Sequence, residues 1–395
     1  MQEIFSSKER STRLDRGDKR LMWALTLIYT VFTLLNLGTL SFPTSVWTAQ
    51  SGAAVRIDLG AEYDVAEIWT NGNIAEGSAV FTGDDGSTAE YAQKYATMFT
   101  WRTQTAAMHT RYITLQCTAG KGSLNKIAIF DAAGECLPAV IAAGTTEGAA
   151  LLDEPDTVPD EPSYLNGMYF DEIYHARTGY EHSHGLQPYE ISHPPLGKVM
   201  MSWAISIFGM TPFGWRFAGA ACGVLMLPGM YLLGRLLFKK RRYAILTCLC
   251  LAFDTLHFTQ TRIATIDSFV VLFIIWSVYF MLRWFYTDFF GKKLAYTMIP
   301  LVLSGACMGL AVASKWTGCF AGLGLAAIFF FGIWRRWKAV REAKATDPVE
   351  RDPLAAAAAK SGDKRLLITI ASCLIFFVLV PAAIYYCSYI PYFAP

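Results

Sequence analysis

Residues 266–286 read IDSFVVLFIIWSVYFMLRWFY. Charge appears only near the two ends, at Asp267 and Arg283. A helix needs ~20 apolar residues to cross the hydrocarbon core of a bilayer, and this run supplies them. Similar runs occupy 21–42, 212–238, 243–261, 296–313, 316–333 and 366–389, so the expected fold is an α-helical polytopic membrane protein with about seven transmembrane helices. Composition agrees with that reading. The chain is 53% hydrophobic and 17% charged, where a soluble domain carries ~25% charged residues. A net charge of +2 gives no reason to expect a nucleic-acid partner. The run at 21–42 follows basic residues, as a signal peptide would. Its apolar core exceeds the ~7–15 residues of a signal h-region, so it is read as a retained anchor.

Lys and Arg set the expected orientation. The segment 1–20 holds Lys8, Arg10, Arg13, Arg16, Lys19 and Arg20 and is placed in the cytoplasm. The loops 239–242, 283–293 and 335–365 are then also inner, and each is basic. The short outer connections hold only Arg262 and Lys315. The expected location is the plasma membrane, with the chemistry on the extracytoplasmic face. Residues 335–365 are read as a solvated inner linker.

One outer segment is long. Its first part, 43–145, alternates apolar and polar residues over 54–59, 65–69, 112–116 and 126–130, with Gly and Asp turns between. It is read as a β domain. The acidic, Pro-containing stretch within 146–165 is a linker, and 166–211 is the expected catalytic outer loop, ahead of the spans in 212–395. Of the nine cysteines, Cys117 and Cys136 fall in the outer segment, where a disulfide can persist. Sequence leaves their pairing open.

The loop carries YFDEIYHARTGYEHSHGLQPYEISHPPLGK, residues 169–198. A short helix from Asp171 puts Asp171, Tyr174 and His175 on one face. Asp171 also reads as an ordinary helix-start carboxylate. Arg262 and Asp267 flank one outer turn, Lys315 sits at another, and His193 and Lys198 lie where the loop returns to the membrane. Ionisable residues at such depth are functional candidates by default. Cations beside carboxylates suit a phosphate held next to a base. Snorkelling to headgroups is the plainer role for Arg262 and Lys315. His182 and His184 have zinc-ligand chemistry but no closed four-ligand pattern, so no metal or other cofactor is expected. Tyr174, Tyr180 and Tyr189 suit either sugar stacking or an interfacial belt.

Two resemblances follow from these motifs. VRIDLGAEYDVAEIWTNG (55–72) and TRYITLQCTAGKGSLNKIAIFDAAGE (110–135) resemble strands of discoidin-like, galactose-binding jelly-roll domains. That implies an extracytoplasmic β-sandwich, either a glycan binder or a spacer. FDEIYHAR, SHPPLGK, TRIATIDSF and ASKWTG, in that order, resemble the protein O-mannosyltransferase family of GT-C glycosyltransferases over about 165–393, plus the first span.

The second resemblance implies a polyprenyl-phosphate mannose donor and Ser or Thr hydroxyls of exported proteins as acceptors, with inversion at the sugar. By matching position it implies Asp171 as general base and Glu172 as its helper. Arg262, Lys315, His193 and Lys198 would bind the donor phosphate, and Asp267 would fix Arg262. Family members continue past the matching point with further spans, so a partner chain or a continuation is expected to supply them. Two other functions share the features: a lipid-directed transferase of the aminoarabinose-transferase type, and a non-catalytic glycan-binding subunit.

Overall fold

Among the described residues of the computed structural model, five helices are long and apolar enough to cross a membrane: Pro212–Phe238, Asp267–Phe285, Leu294–Ser314, Trp316–Ala345 and Pro353–Ser388. The structure describes residues 14–145 and 147–393. The chain is a multi-pass membrane protein, but the expected seven spans become five. The run at 21–42 fails because its helix is Arg16–Leu34. That helix starts inside the charged segment and stops well before Phe42. Its apolar part after Arg20 rises only ~21 Å at 1.5 Å per residue, short of a ~30 Å core. The run at 243–261 fails because it breaks. Helix Arg241–Ala252 ends at Phe253, and Asp254 then caps a new short helix, Thr255–Thr261, by accepting from the amides of Leu256 and His257. Neither piece is long enough to span.

The chain folds as two compact units. One holds Asn36–Tyr180 and Ala204–Arg216; the other holds Glu181–Trp203, the described chain from Phe217 onward and that before Asn36.

In the helical unit, several buried polar groups are matched by hydrogen bonds. Asp18 is fully buried. Its carboxylate accepts from Tyr231 Oη at 3.0 Å, Arg241 Nε at 3.0 Å and Arg235 Nε at 3.3 Å. Ser277 and Ser304 donate to each other's carbonyls at 2.8 and 2.9 Å. Small residues let helices approach closely, as is usual between membrane helices. A Cβ on Gly305 would lie 2.0 Å from the Phe376 carbonyl oxygen. Phe376 belongs to a π-helical turn, Ile375–Leu379, which brings that carbonyl to the glycine. Residues 335–365 are mostly helical: the end of Cys319–Ala345 and the start of Pro353–Leu374. Ala339, Val340 and Ala343 pack there with Ala355, Ala358, Phe289 and Phe290.

The other unit is built on a six-stranded sheet: β1 (Trp47–Gln50), β2 (Ala54–Gly72), β3 (Gly77–Gly83), β4 (Thr88–Gln93), β5 (Trp101–Asp131) and β6 (Val140–Ile141). The expected jelly-roll sandwich is not what forms. The strand path is β4-β3-β5-β2-β6, with β1 also on β5, and it does not close into a barrel or jelly roll. The cause lies in β5, which is long enough to flank β2 twice. Ile68 sits opposite Gln104 and Ile129, and Asn71 opposite Trp101 and Lys126. Alternation along β2, β3 and β5 still buries one set of side chains, including Val55, Ile57, Leu59, Phe81, Ile113 and Leu115.

Lys126 ties β5 to the segment beyond the sheet. Its side chain is buried and pairs with Asp153 and, at 3.2 Å, with Glu154. Burial alone would raise the Glu154 carboxyl. Hydrogen bonds from the Thr44 hydroxyl, the amides of Ser45 and Thr44, and Lys126 outweigh it and hold the group at about 2. A depressed carboxylate stabilises the fold fully above its ordinary value of ~4.3 and loses that contribution as pH falls through the folded value. Tryptophan fluorescence of the full chain should therefore report acid destabilisation between pH ~4 and ~2. Glu154→Gln is expected to flatten that slope; an unchanged slope would refute the linkage.

Candidate functional site

Asp171 and Glu172 begin one helix but sit in different surroundings. The helix runs Glu172–Ser183. It starts where the Asp171 carbonyl accepts the amides of Tyr174 and His175, at 3.0 and 3.1 Å. Just before it, Phe170 has φ 54. Left-handed backbone at a bulky residue is strained and persists only where its surroundings impose it.

Glu172 is fully buried. Arg216 meets it fork to fork, Nε to Oε1 and Nη2 to Oε2, both at 2.7 Å. The Tyr169 amide adds a bond to Oε2 at 2.8 Å. Arg216 is itself buried and also donates to the carbonyls of Leu37 at 3.0 Å and Gly167 at 3.1 Å. Two-point Arg–carboxylate pairs of this kind fix orientation as well as charge. Asp171 contrasts with this. It is half-buried, and among the described residues its carboxylate has no hydrogen-bond or ion-pair partner. Tyr174 is half-buried and His175 buried on the same helix.

The other candidates lie in the helical unit. Lys198 is fully buried. Its ammonium pairs with the Glu190 carboxylate and donates to the carbonyls of Glu190 at 2.8 Å and His193 at 3.0 Å. Glu190 accepts in turn from the amides of Ser192 and His193 at 2.8 and 3.2 Å. His193 and Lys198 are thus brought together, around Glu190. Tyr392 donates to the Glu190 carbonyl at 3.0 Å, and its ring meets His182 edge-on at 5.0 Å. Burial first, then the Lys198 charge, hold His182 at about 4, so it is neutral at physiological pH.

Lys315 pairs with Asp267 at 2.7 Å, and the Asp267 side chain is 52% exposed. Asp267 thus holds Lys315. Arg262 donates to the carbonyls of Phe32 at 3.2 Å and Leu35 at 2.7 Å, and lies 4.7 Å from the Phe258 ring. These carbonyls end helix Arg16–Leu34, where a cation is favoured. Among the described residues, no group of three or more His, Cys, Asp or Glu is gathered as a metal-ligand set. Cys117 and Cys136 are both free thiols.

Sequence reasoning missed two residues. Arg216 sits in PFGWRFAGA, an ionisable residue inside an apolar run, and the rule applied to Arg262 and Lys315 would have found it. Glu190 gave no such signal, because its partner Lys198 becomes its neighbour only through the turn between them.

Residues 203–393 match the family model described as dolichyl-phosphate-mannose-protein mannosyltransferase. Arg216, Arg262, Asp267 and Lys315 fall inside that match; Asp171 and Glu172 precede it. The chain is 26% identical over 254 residues to the polyprenol-phosphate-mannose–protein mannosyltransferase of Mycolicibacterium smegmatis, covering 59% of this chain and 46% of that protein. It is 26% identical over 268 residues to the Mycobacterium tuberculosis protein of the same description, covering 63% and 45%. The chain thus spans about half the length of the curated relatives it matches. A solved chain of the S. cerevisiae protein O-mannosyltransferase Pmt1-Pmt2 complex bound to the sugar donor is 20% identical with TM-score 0.45, over 56% of this chain and 29% of that one.

Proposed function

We propose that this chain is a GT-C glycosyltransferase of the polyprenyl-phosphate-mannose-dependent protein mannosyltransferase family, acting on Ser or Thr hydroxyls of exported proteins. The match over residues 203–393 supports the reaction class. One observation carries the assignment of the base: Glu172 is held by Arg216 and the Tyr169 amide, while the neighbouring Asp171 carboxylate has no partner among the described residues. In this reading Asp171 takes the acceptor hydroxyl proton. The freed oxygen forms a bond to the anomeric carbon from the face opposite the phosphate. The carbon–oxygen bond to the donor breaks, and polyprenyl phosphate leaves with the electron pair. Glu172 is a positioning residue that fixes the helix start.

Charge stabilisation of the leaving group is the larger contribution in such a displacement. Lys198 and His193 act through Glu190 rather than on the donor, and Arg262 secures the end of the first helix.

Membranes carrying the chain, given labelled polyprenyl-phosphate mannose, should label a Ser/Thr-containing acceptor protein, with label released as mannose by β-elimination. Label found only in lipid would reject the protein-directed reading.

A further inference from the structure

A group of arginines at the ends of the spanning helices has no part in the proposed transfer. Arg336 lies within the span Trp316–Ala345 and is only 7% exposed. Its Nη2 donates to the carbonyls of Trp284 at 2.8 Å and Phe285 at 3.3 Å, the last residues of another span. The guanidinium lies 4.0 Å from the Trp284 ring centroid and 4.8 Å from that of Phe289. Its Nη1 is buried and has no hydrogen-bond partner among the described residues. A buried, charged donor left unmatched is costly, and in a native fold it points to a missing ligand or water.

Space for a ligand exists at that nitrogen. A cavity of about 50 Å³ is lined there by Phe285, Asp288, Gly332, Arg335 and Arg336, among others. Gly332 keeps it open: a Cβ would lie 3.1 Å from Arg336 Nη1 and 2.7 Å from the Trp284 ring. Arg335 stacks over Phe285 at 5.0 Å. Arg365 lies 5.2 Å from the same Phe289 ring, and its buried Nε also has no partner among the described residues. Among the described residues lining the cavity, Asp288 is the one carboxylate, and its Oδ1 already accepts the Gly291 amide at 2.9 Å.

We propose that the cavity at Arg335 and Arg336 binds one phosphate oxyanion, presented by the headgroup of an anionic phospholipid. The cavity is too small for a sugar or a nucleotide. Arginine forks match phosphate oxygens in two-point geometry, which lysine does not. The loop lining the cavity joins the spans Asp267–Phe285 and Leu294–Ser314, so it sits at the membrane surface, where lipid phosphates concentrate. Binding would tie the ends of two spanning helices together.

The test uses the full chain, delipidated in a phosphate-free maltoside detergent, and reads the thermal unfolding midpoint and the native mass spectrum. Phosphatidylglycerol is expected to raise the midpoint and to remain as one bound molecule per chain; phosphatidylcholine is expected to do neither. Arg335→Gln should weaken the response ~10-fold, the loss of one charge-assisted hydrogen bond. Arg336→Lys keeps the charge, loses the fork and should weaken it as well; Arg335→Gln carries the test if that variant fails to fold. A response to inorganic phosphate alone would support the phosphate site and assign it to the free ion. No response to either phosphate source, or an equal response in wild type and Arg335→Gln, would overturn the proposal and leave the cavity to water.

Discussion

Replacing Asp171 by Asn is expected to cut mannosyl transfer by ~10²–10⁴-fold, the usual contribution of a positioned general base, while the unfolding midpoint stays where it is. Asn matches the carboxylate in size but cannot take a proton. Nothing in the fold depends on the Asp171 charge, because its carboxylate has no partner among the described residues. What the fold does fix is its position. Phe170 at φ 54 turns the chain immediately before it, and the Asp171 carbonyl opens the helix by accepting two amides. Strain held beside a partner-free carboxylate is a reason to look there for function. Two outcomes would sink the assignment. Transfer above a tenth of wild type would reject Asp171 as the base. A large fall in stability would mean that the carboxylate has a structural partner after all.

The sequence made the membrane class legible because apolar runs report burial in lipid directly. It did not reveal where runs break. Asp254 looks like one polar residue inside 243–261, yet its side chain accepts two amides and starts a new helix. The run at 21–42 was misread for a related reason. Asp15 and Asp18 close a reciprocal cap, so the helix begins in the charged segment, and the extended backbone at Leu35 ends it. The β domain was legible strand by strand, since alternation is local. Its topology was not, because it depends on β5 bending to flank β2 on both sides, a long-range pairing that no alternation pattern encodes. The site divides the same way. Residue types and spacing singled out Asp171 and Glu172. Which of the two has an arginine partner depended on Arg216, some forty residues later in the chain.

Glu172→Ala should destabilise the chain by about 3–5 kcal/mol, the cost of breaking a buried ion pair from one side. Arg216 would keep its bonds to the Leu37 and Gly167 carbonyls. It would lose both oxygens of the one carboxylate shown to pair with it, leaving a buried charge without compensation. The Tyr169 amide would lose its acceptor as well. Arg216→Met alone should cost a similar amount, because it takes the buried Glu172 carboxylate's arginine away instead. The double variant Glu172→Leu with Arg216→Met removes both charges and should fall well short of the sum of the two single losses. That coupling, measured by thermal or denaturant unfolding, separates an ion pair from two independent packing residues; strict additivity would refute the pair. Activity should follow a different order. The double variant regains stability, but its helix start is no longer held by the two-point bond. Transfer should therefore stay low in a chain that folds well. Restored transfer would mean that Glu172 stabilises the fold without positioning Asp171.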